Sequence, residues 1–356
     1  MPAIPPRILA LAFLMLAPAA AAAQQPVRVA ADILFFGDNT EFRNPFREGE
    51  TILGAAATLA LEVPLGDRLT IVAGGFGVRR FGSDRSFDLA RPVLTLRAGG
   101  PRSTFLFGTL IAPVAGVPAG PDRTGPHGLL PAIQRETLAF ERPYEAGLQW
   151  RFAGKTVRHD MWINWQQLNT PAHRERFDVG VAGEARVTGW LSVPFQAHIV
   201  HEGGQLFASG PVNDSSVLAS GVSVGREARG ARLTLETYGL VSRYVPDRAE
   251  PDRSLDGRAI LGRAAAERSG WRGHALFFRG RDFIKVEGDP NYMSLTRGGA
   301  RYIGTRDYSE AGIARTFRPA PEALIETSAR LHRIEGRYEY SFRVMSAVSI
   351  RRPLRE

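Results

Sequence analysis

Two runs of period-two alternation meet in residues 176–202. Phe177, Val179, Val181, Gly183, Ala185 and Val187 alternate with Arg176, Asp178, Gly180, Ala182, Glu184 and Arg186. After Thr188-Gly189-Trp190 the pattern resumes, with Leu191, Val193, Phe195, Ala197 and Ile199 set against Ser192, Pro194, Gln196, His198 and Val200. Successive side chains of a strand point to opposite faces, so this stretch is a hairpin with one apolar face and one polar face. Each arm has about the eleven residues that a tilted strand needs to cross a bilayer. A soluble sheet alternates too, so the rest of the chain must discriminate.

It does so through its connections. From Val27 onward sixteen strand-like segments can be read. The connections at 64–67, 99–102, 153–155, 188–190, 228–230, 267–270 and 318–321 are short. Between them fall longer polar ones at 37–50, 82–86, 113–142, 167–175, 203–215, 246–256, 280–303 and 334–337, the last being the shortest of these. Short and long strictly take turns, as in a transmembrane barrel with short periplasmic turns and long outer loops. A soluble sandwich has no reason to keep that parity. The expected fold is therefore all-β: a closed antiparallel transmembrane β-barrel of about 16 strands, with 14 or 18 as alternatives. The alternatives stay open because segments near Leu69, Ser216, Arg258 and Ser309 alternate poorly.

The N-terminus reads as a signal peptide over residues 1–23, with Arg7 before an apolar run at 8–16 and small residues at 19–23. That leaves residues 24–356 as a single barrel domain. No later window holds eighteen continuous apolar residues, so no transmembrane helix is expected. The chain has no cysteine, which excludes disulfides and thiolate metal sites. Its formal charge of +9 comes almost wholly from arginine, Lys155 and Lys285 being the two lysines. The arginines are spread and interleaved with acids, which argues against nucleic acid as a partner.

The phase of alternation assigns faces. Arg151, Arg158, Asp160, Arg176, Asp178, Glu184, Arg186, His198, Arg232, Glu236, Glu326, Arg330 and Arg343 fall on the inward, lumen-lining face. Charged faces are expected to look into a watery lumen, where such rings tune solute selectivity. Tyr144, Trp150, Trp165, Trp190, Trp271, Tyr338 and Tyr340 lie toward strand ends on the other face, where an aromatic girdle would meet the membrane interface.

Signal peptide, even strand count, turn parity and a closing strand with Tyr338, Tyr340, Phe342, Val344, Val348 and Ile350 on one face together resemble the porin-type outer-membrane β-barrels of Gram-negative bacteria. The resemblance covers nearly all of the mature chain and is one of architecture, not of motif. It implies location in the outer membrane, contact with its lipid, insertion by the barrel-assembly machinery, passage of small hydrophilic or anionic solutes and, by analogy, a homotrimer. It also implies a long loop folded into the lumen, 113–142 by position, with 280–303 as a second candidate. The chain departs from the class at its end, where Arg351 to Glu356 follow Ile350 in place of a terminal aromatic residue.

Candidate chemistry is sparse. His198 and His201 are three apart, which on a strand puts them on opposite faces, so no shared metal is expected. His127 and His173 lie in loops without neighbouring ligands. Ser192 and His198 share a face but are about 20 Å apart along a strand, and Ser328 and His332 about 13 Å, too far for a proton relay. Asp282, Glu287 and Asp289 lack the spacing of a calcium loop. The expectation is a chain that is not an enzyme and uses no cofactor: a passive diffusion channel with a mild anion preference. The alternatives are a dedicated exporter of an anionic polymer, such as an exopolysaccharide, and a plugged structural or adhesive barrel.

Overall fold

The computed structural model of the protein describes residues 25–110, 127–204, 206–207 and 209–354. The segment read as a signal peptide and the first part of the long 113–142 connection lie outside the described residues. Sixteen strands are present. The first four are β1 (Arg28–Arg43), β2 (Glu48–Pro64), β3 (Leu69–Arg80) and β4 (Leu89–Gly100). Next come β5 (Ser103–Leu110), β6 (Glu145–Ala153), β7 (Val157–Gln167) and β8 (Glu175–Arg186). They are followed by β9 (Leu191–Gly203), β10 (Asn213–Ala228), β11 (Ala231–Val245) and β12 (Leu255–Arg268). The ring is completed by β13 (Trp271–Arg281), β14 (Thr305–Ala320), β15 (Ala323–Ile334) and β16 (Arg337–Pro353).

Every strand pairs antiparallel with its sequence neighbours, and β16 returns to β1 to close the sheet. That last ladder runs from Arg28 opposite Pro353 to Glu41 opposite Tyr340. Closure leaves no free edge, the condition for strands to cross a bilayer, where nothing else satisfies backbone amides. Three connections show how sequence sets the turns. Arg229-Gly230, Ser269-Gly270 and Glu335-Gly336 all have positive φ at both positions. That is the two-residue turn whose twist matches the flanking strands, and glycine makes its second position cheap.

The alternation of faces is regular. On β2, Leu59 is 63% exposed while its neighbour Ala60 is 4% exposed. Leu94, Phe107, Leu235 and Ile260 share the outer surface, which forms the apolar belt a barrel turns toward lipid. Trp150, Trp190 and Trp271 are exposed near the short-turn end, and Trp165, Tyr338 and Tyr340 near the loop end. Tyr144 sits elsewhere: it precedes β6, its ring packs against buried Phe76, and its hydroxyl donates to the Pro92 carbonyl at 2.9 Å.

The expected long connection at 37–50 is mostly strand. Thr40 Oγ1 accepts the Glu50 amide at 3.0 Å, and the pairing continues to Arg43 opposite Glu48. The reversal is left to residues 44–47, where Asn44 Oδ1 accepts the amides of Phe46 and Arg47, each at 2.9 Å. A polar residue on the outer face of a hairpin that rises beyond the lipid costs nothing, so loss of outer apolarity there does not mark a strand end.

The interior also departs from a purely ionic, watery lumen. Inward positions include Leu34, Phe36, Phe76, Tyr238, Leu261 and Phe278, all buried. Two connections fold inside and cover them. The described part of the β5–β6 connection brings Leu129, Leu130, Ile133 and a one-turn helix, α1 (Leu138–Glu141), into contact with the wall. The β13–β14 connection, residues 282–304, adds Phe283 and Tyr292 to the same buried cluster. Phe140 of α1 stacks on Phe36 with ring centroids 4.8 Å apart.

Substitution of an outward residue at mid-strand should expose the orientation of this wall. Ile260→Arg is expected to destabilise the barrel by about 2–4 kcal/mol when folding is followed by urea titration in lipid vesicles. No change in midpoint would contradict the lipid-facing assignment.

Candidate active site within the barrel

Antiparallel register on the last three strands brings together residues far apart in sequence. Inward residues of β15 are the even-numbered ones from Leu324 to His332, and those of β16 are Glu339, Ser341, Arg343 and Met345. Glu310 on β14 lies opposite His332, which lies opposite Glu339. Arg330 lies opposite Ser341, so Ser341 and His332 are diagonal neighbours on one face, within reach of a long side chain.

These side chains form a continuous relay. His332 Nε2 is 2.8 Å from Ser341 Oγ, and His332 Nδ1 is 2.7 Å from the Tyr308 hydroxyl. Tyr308 donates to Glu310 Oε2 at 2.7 Å, and that oxygen is also 3.4 Å from His332 Nδ1. Glu310 Oε1 is 2.8 Å from His274 Nε2. With Tyr308 donating to Glu310, its oxygen accepts from Nδ1–H, which leaves the Nε2 lone pair to receive the Ser341 proton. That is the tautomer a serine–histidine relay requires.

Two arginines flank the relay and tie it to the folded-in loop. Arg330 and Arg343 donate to the same oxygen of Glu136 at 2.8 and 2.7 Å, and Arg343 also reaches Asp38 at 2.5 Å. Burial opposes a charge on Glu136, yet Arg330 and Arg343 overcome it and hold the carboxyl down to about 2. A cavity of about 30 Å³ lies here, lined by Thr40, Phe42, Glu136, His332 and Ser341 among others. That space suits a water but not a substrate, so entry requires the loop at 127–142 to lift.

A second cluster holds the other loop. Asp178 accepts from Trp162 Nε1 at 2.7 Å, Asn164 at 2.9 Å and Gln166 at 2.6 Å. Glu287, from the 282–304 connection, pairs with Arg142 at 2.5 Å and Arg176 at 3.2 Å. Burial works against its charge, and Arg142 and the neighbouring donors keep the carboxyl well below the usual range. Lys285 donates to the Ser215 carbonyl at 2.9 Å, and burial pushes its ammonium down to about 7. Asp178, His198 and Glu287 each present one ligand atom, all within 4.8 Å of one another, a set that could hold a metal ion. His201 is not part of it and pairs instead with Asp214 at 2.7 Å.

Several of the remaining inward residues fall into ion pairs. Arg158 meets Glu184 at 2.9 Å, Arg151 approaches Asp160 at 3.9 Å, and Arg263 binds Glu236. Glu326 accepts from Thr316 at 3.4 Å, Arg232 lines an opening at the short-turn end, and Arg186 is exposed at the end of β8. His127, read from the sequence as a lone loop histidine, is clamped. Its Nε2 is 2.9 Å from Glu145 and its Nδ1 3.1 Å from Asp160, and its ring stacks on Trp162 at 3.7 Å.

Of the relay, Ser341 and His332 appear in the sequence only as inward-phase residues of the last two strands. Tyr308 and Glu310 lie in a segment whose alternation is weak. Distances along one strand rule out Ser328 with His332, whereas pairing across strands depends on register, which alternation leaves free.

The model of the lipid A 3'-O-deacylase-type family matches residues 19–349. No curated protein sequence matches the chain. Among solved structures, the barrel is similar to a loop L8 deletion mutant of OmpT, an outer membrane protein of Vibrio cholerae. That match has a TM-score of 0.56 at 9% identity and covers 91% of this chain and 99% of the other. It is also similar to OccK8 (OprE) of Pseudomonas aeruginosa, with a TM-score of 0.51 at 12% identity over 92% of this chain and 98% of that one. The trimer form of OmpT, folded in vitro, matches with a TM-score of 0.53 at 9% identity, covering 91% and 99%. The porin-like barrel read from the sequence is thus the fold observed. The expectation that the chain is not an enzyme is overturned by the family match, whose type is a deacylase.

The clamp on His127 carries a pH signature. Burial disfavours its charge, but Glu145 and Asp160 outweigh burial and raise it to about 10. Since its unfolded value is about 6.5, the clamp stabilises fully below that pH and loses its effect as pH climbs through the folded value. The gap in urea midpoint between the native chain and His127→Gln is therefore expected to be widest in mild acid and to close in strong alkali. A gap that grows with pH would contradict the assignment.

Proposed function

The chain belongs to the lipid A 3'-O-deacylase-type family, and from that premise we propose that it is an outer-membrane barrel that hydrolyses an acyl ester of a lipid A-type glycolipid. The observation that carries this reading is the 2.8 Å contact between Ser341 Oγ and His332 Nε2. Ser341 Oγ attacks the acyl carbonyl while His332 takes its proton, and the imidazolium then gives that proton to the leaving sugar oxygen. Water, deprotonated by His332, cleaves the acyl-serine and releases the fatty acid. Glu310 and Tyr308 hold the imidazole in orientation and offset its charge, as the third member of such a triad does. Arg330, directly opposite Ser341, places positive charge beside the carbonyl oxygen where negative charge develops. The relay stands only a few residues from the Glu335-Gly336 turn. That places it toward the loop end of the barrel, the side of the outer leaflet in a barrel with short periplasmic turns.

A second reading is favoured by the vestibule of about 420 Å³ at the short-turn end, lined by Arg232, Glu267, Arg272 and Glu326. In it the chain is a channel for small hydrophilic solutes, gated by the two folded-in loops, with the arginine excess favouring anions. The fold likeness to OccK8 and OmpT supports this reading as far as architecture goes.

Purified native barrel, folded as judged by heat-dependent gel mobility, is expected to release fatty acid from lipid A. Ser341→Ala and His332→Ala, equally folded, should each lower the rate by about a thousandfold or more. Retained activity in both variants would remove the relay. Conductance steps in planar bilayers that Ser341→Ala leaves intact, with no fatty acid released by the native chain, would favour the channel.

A further inference from the structure

The short-turn end of the barrel carries a regular set of cations. Every one of the seven short turns carries an exposed cation in or beside it: Arg68, Arg102, Lys155, Arg186, Arg229, Arg268 and Arg318, in chain order from β2–β3 to β14–β15. Among the described residues none of the seven forms an ion pair. Three carboxylates at that end are engaged by other arginines, Glu184 by Arg158, Glu267 by Arg272 and Glu322 by Arg352, while exposed Asp67 and Glu227 form no ion pair among the described residues.

Exposure does not by itself prevent pairing. At the loop end Arg243 is 56% exposed and Arg253 65% exposed, yet each is paired, with Asp256 and Glu250. Arg248 likewise binds Asp214, and Arg279 approaches Asp307. These loop-end arginines find acids within the chain, while exposed Arg85, Arg91 and Arg333 at that end do not among the described residues. The short-turn end is distinguished by carrying an unpaired cation at every one of its turns.

The depth of the ring is marked independently. Trp190 lies within the β8–β9 turn and Trp271 opens β13 directly after Ser269-Gly270, and both are exposed, at 57% and 51%. Exposed tryptophan at a barrel rim sits at headgroup level, since its ring is apolar and its N–H polar. The seven cations are therefore at the height of lipid phosphates, on the periplasmic leaflet. Cations spaced one per hairpin and unpaired within the chain outnumber the unpaired acids Asp67 and Glu227 beside them and complement a plane of anionic headgroups.

We propose that the short-turn ring is a binding collar for the phosphodiester headgroups of anionic phospholipid in the periplasmic leaflet. The collar is independent of the relay and of any hydrolysis it performs. It selects lipid around the barrel and sets the barrel's height in the membrane, because moving up would pull the cations into hydrocarbon and moving down would strip them of phosphate.

The test uses the full barrel reconstituted in phosphatidylcholine vesicles with trace spin-labelled phosphatidylglycerol or spin-labelled phosphatidylcholine. The native chain is expected to immobilise the glycerol lipid several-fold more than the choline lipid, and added salt should reduce the difference. A variant with Arg68→Gln, Arg102→Gln, Arg186→Gln and Arg318→Gln touches only exposed side chains and should fold, as checked by heat-dependent gel mobility. It is expected to lose most of the preference, while Arg243→Gln and Arg253→Gln at the loop end keep it. Equal immobilisation of the two lipids by the native chain, or a preference unchanged in the fourfold variant, would overturn the proposal. So would loss in that variant of binding to purified cell-wall sacculi with lipid preference unaltered, which would assign the ring to a polymer.

Discussion

Everything in this molecule follows from the need of backbone amides for partners where no water reaches. A strand in hydrocarbon must be hydrogen-bonded along both edges, and a sheet achieves this only by returning to its own beginning. Here that return is the ladder between β1 and β16. A ring of sixteen strands is wider than its wall side chains can fill; barrels of this size leave an aqueous lumen unless something enters it. In this chain the entrants are its own loops. Apolar inward residues such as Phe36, Tyr238 and Phe278 make sense once Phe140, Ile133 and Tyr292 are there to cover them.

Filling a barrel with loops carries a cost in polar groups, and the interior shows how it is met. Each loop brings a carboxylate that lands between arginines: Glu136 between Arg330 and Arg343 of the wall, and Glu287 between Arg176 of the wall and Arg142 of the other loop. Such pairs add little net stability against an apolar core, because desolvation offsets attraction, but removing one partner leaves an uncompensated charge and costs about 3–5 kcal/mol. They act as keys, fixing where each loop sits. The same arrangement seals the Ser341–His332 relay beneath Glu136, so loop position and access to the relay are one variable.

Much of the fold can be read from the chain because a barrel is an alternating object. The strand number, the outer apolar face and the short-turn parity all follow from period two. What period two does not contain is register. Distance along one strand rightly separates Ser328 from His332, while Ser341 and His332, on neighbouring strands, touch. His127 gives no sign of its clamp, because Glu145 and Asp160 reach it only when the loop folds inward. The hairpin of β1 and β2 reads as a loop because its upper half rises beyond lipid, where outer apolarity is no longer required. The expectation of a non-enzyme is overturned by the family match, and distance along a strand does not reveal a cluster assembled across three.

The account stands most directly on the reactivity of Ser341. The folded native barrel, exposed to a small fluorophosphonate and digested, should show the phosphonyl mass addition on the peptide containing Ser341. The same peptide should remain unmodified in His332→Ala. Modification on a different serine, or an unmodified Ser341 in a barrel that releases fatty acid from lipid A, would contradict it.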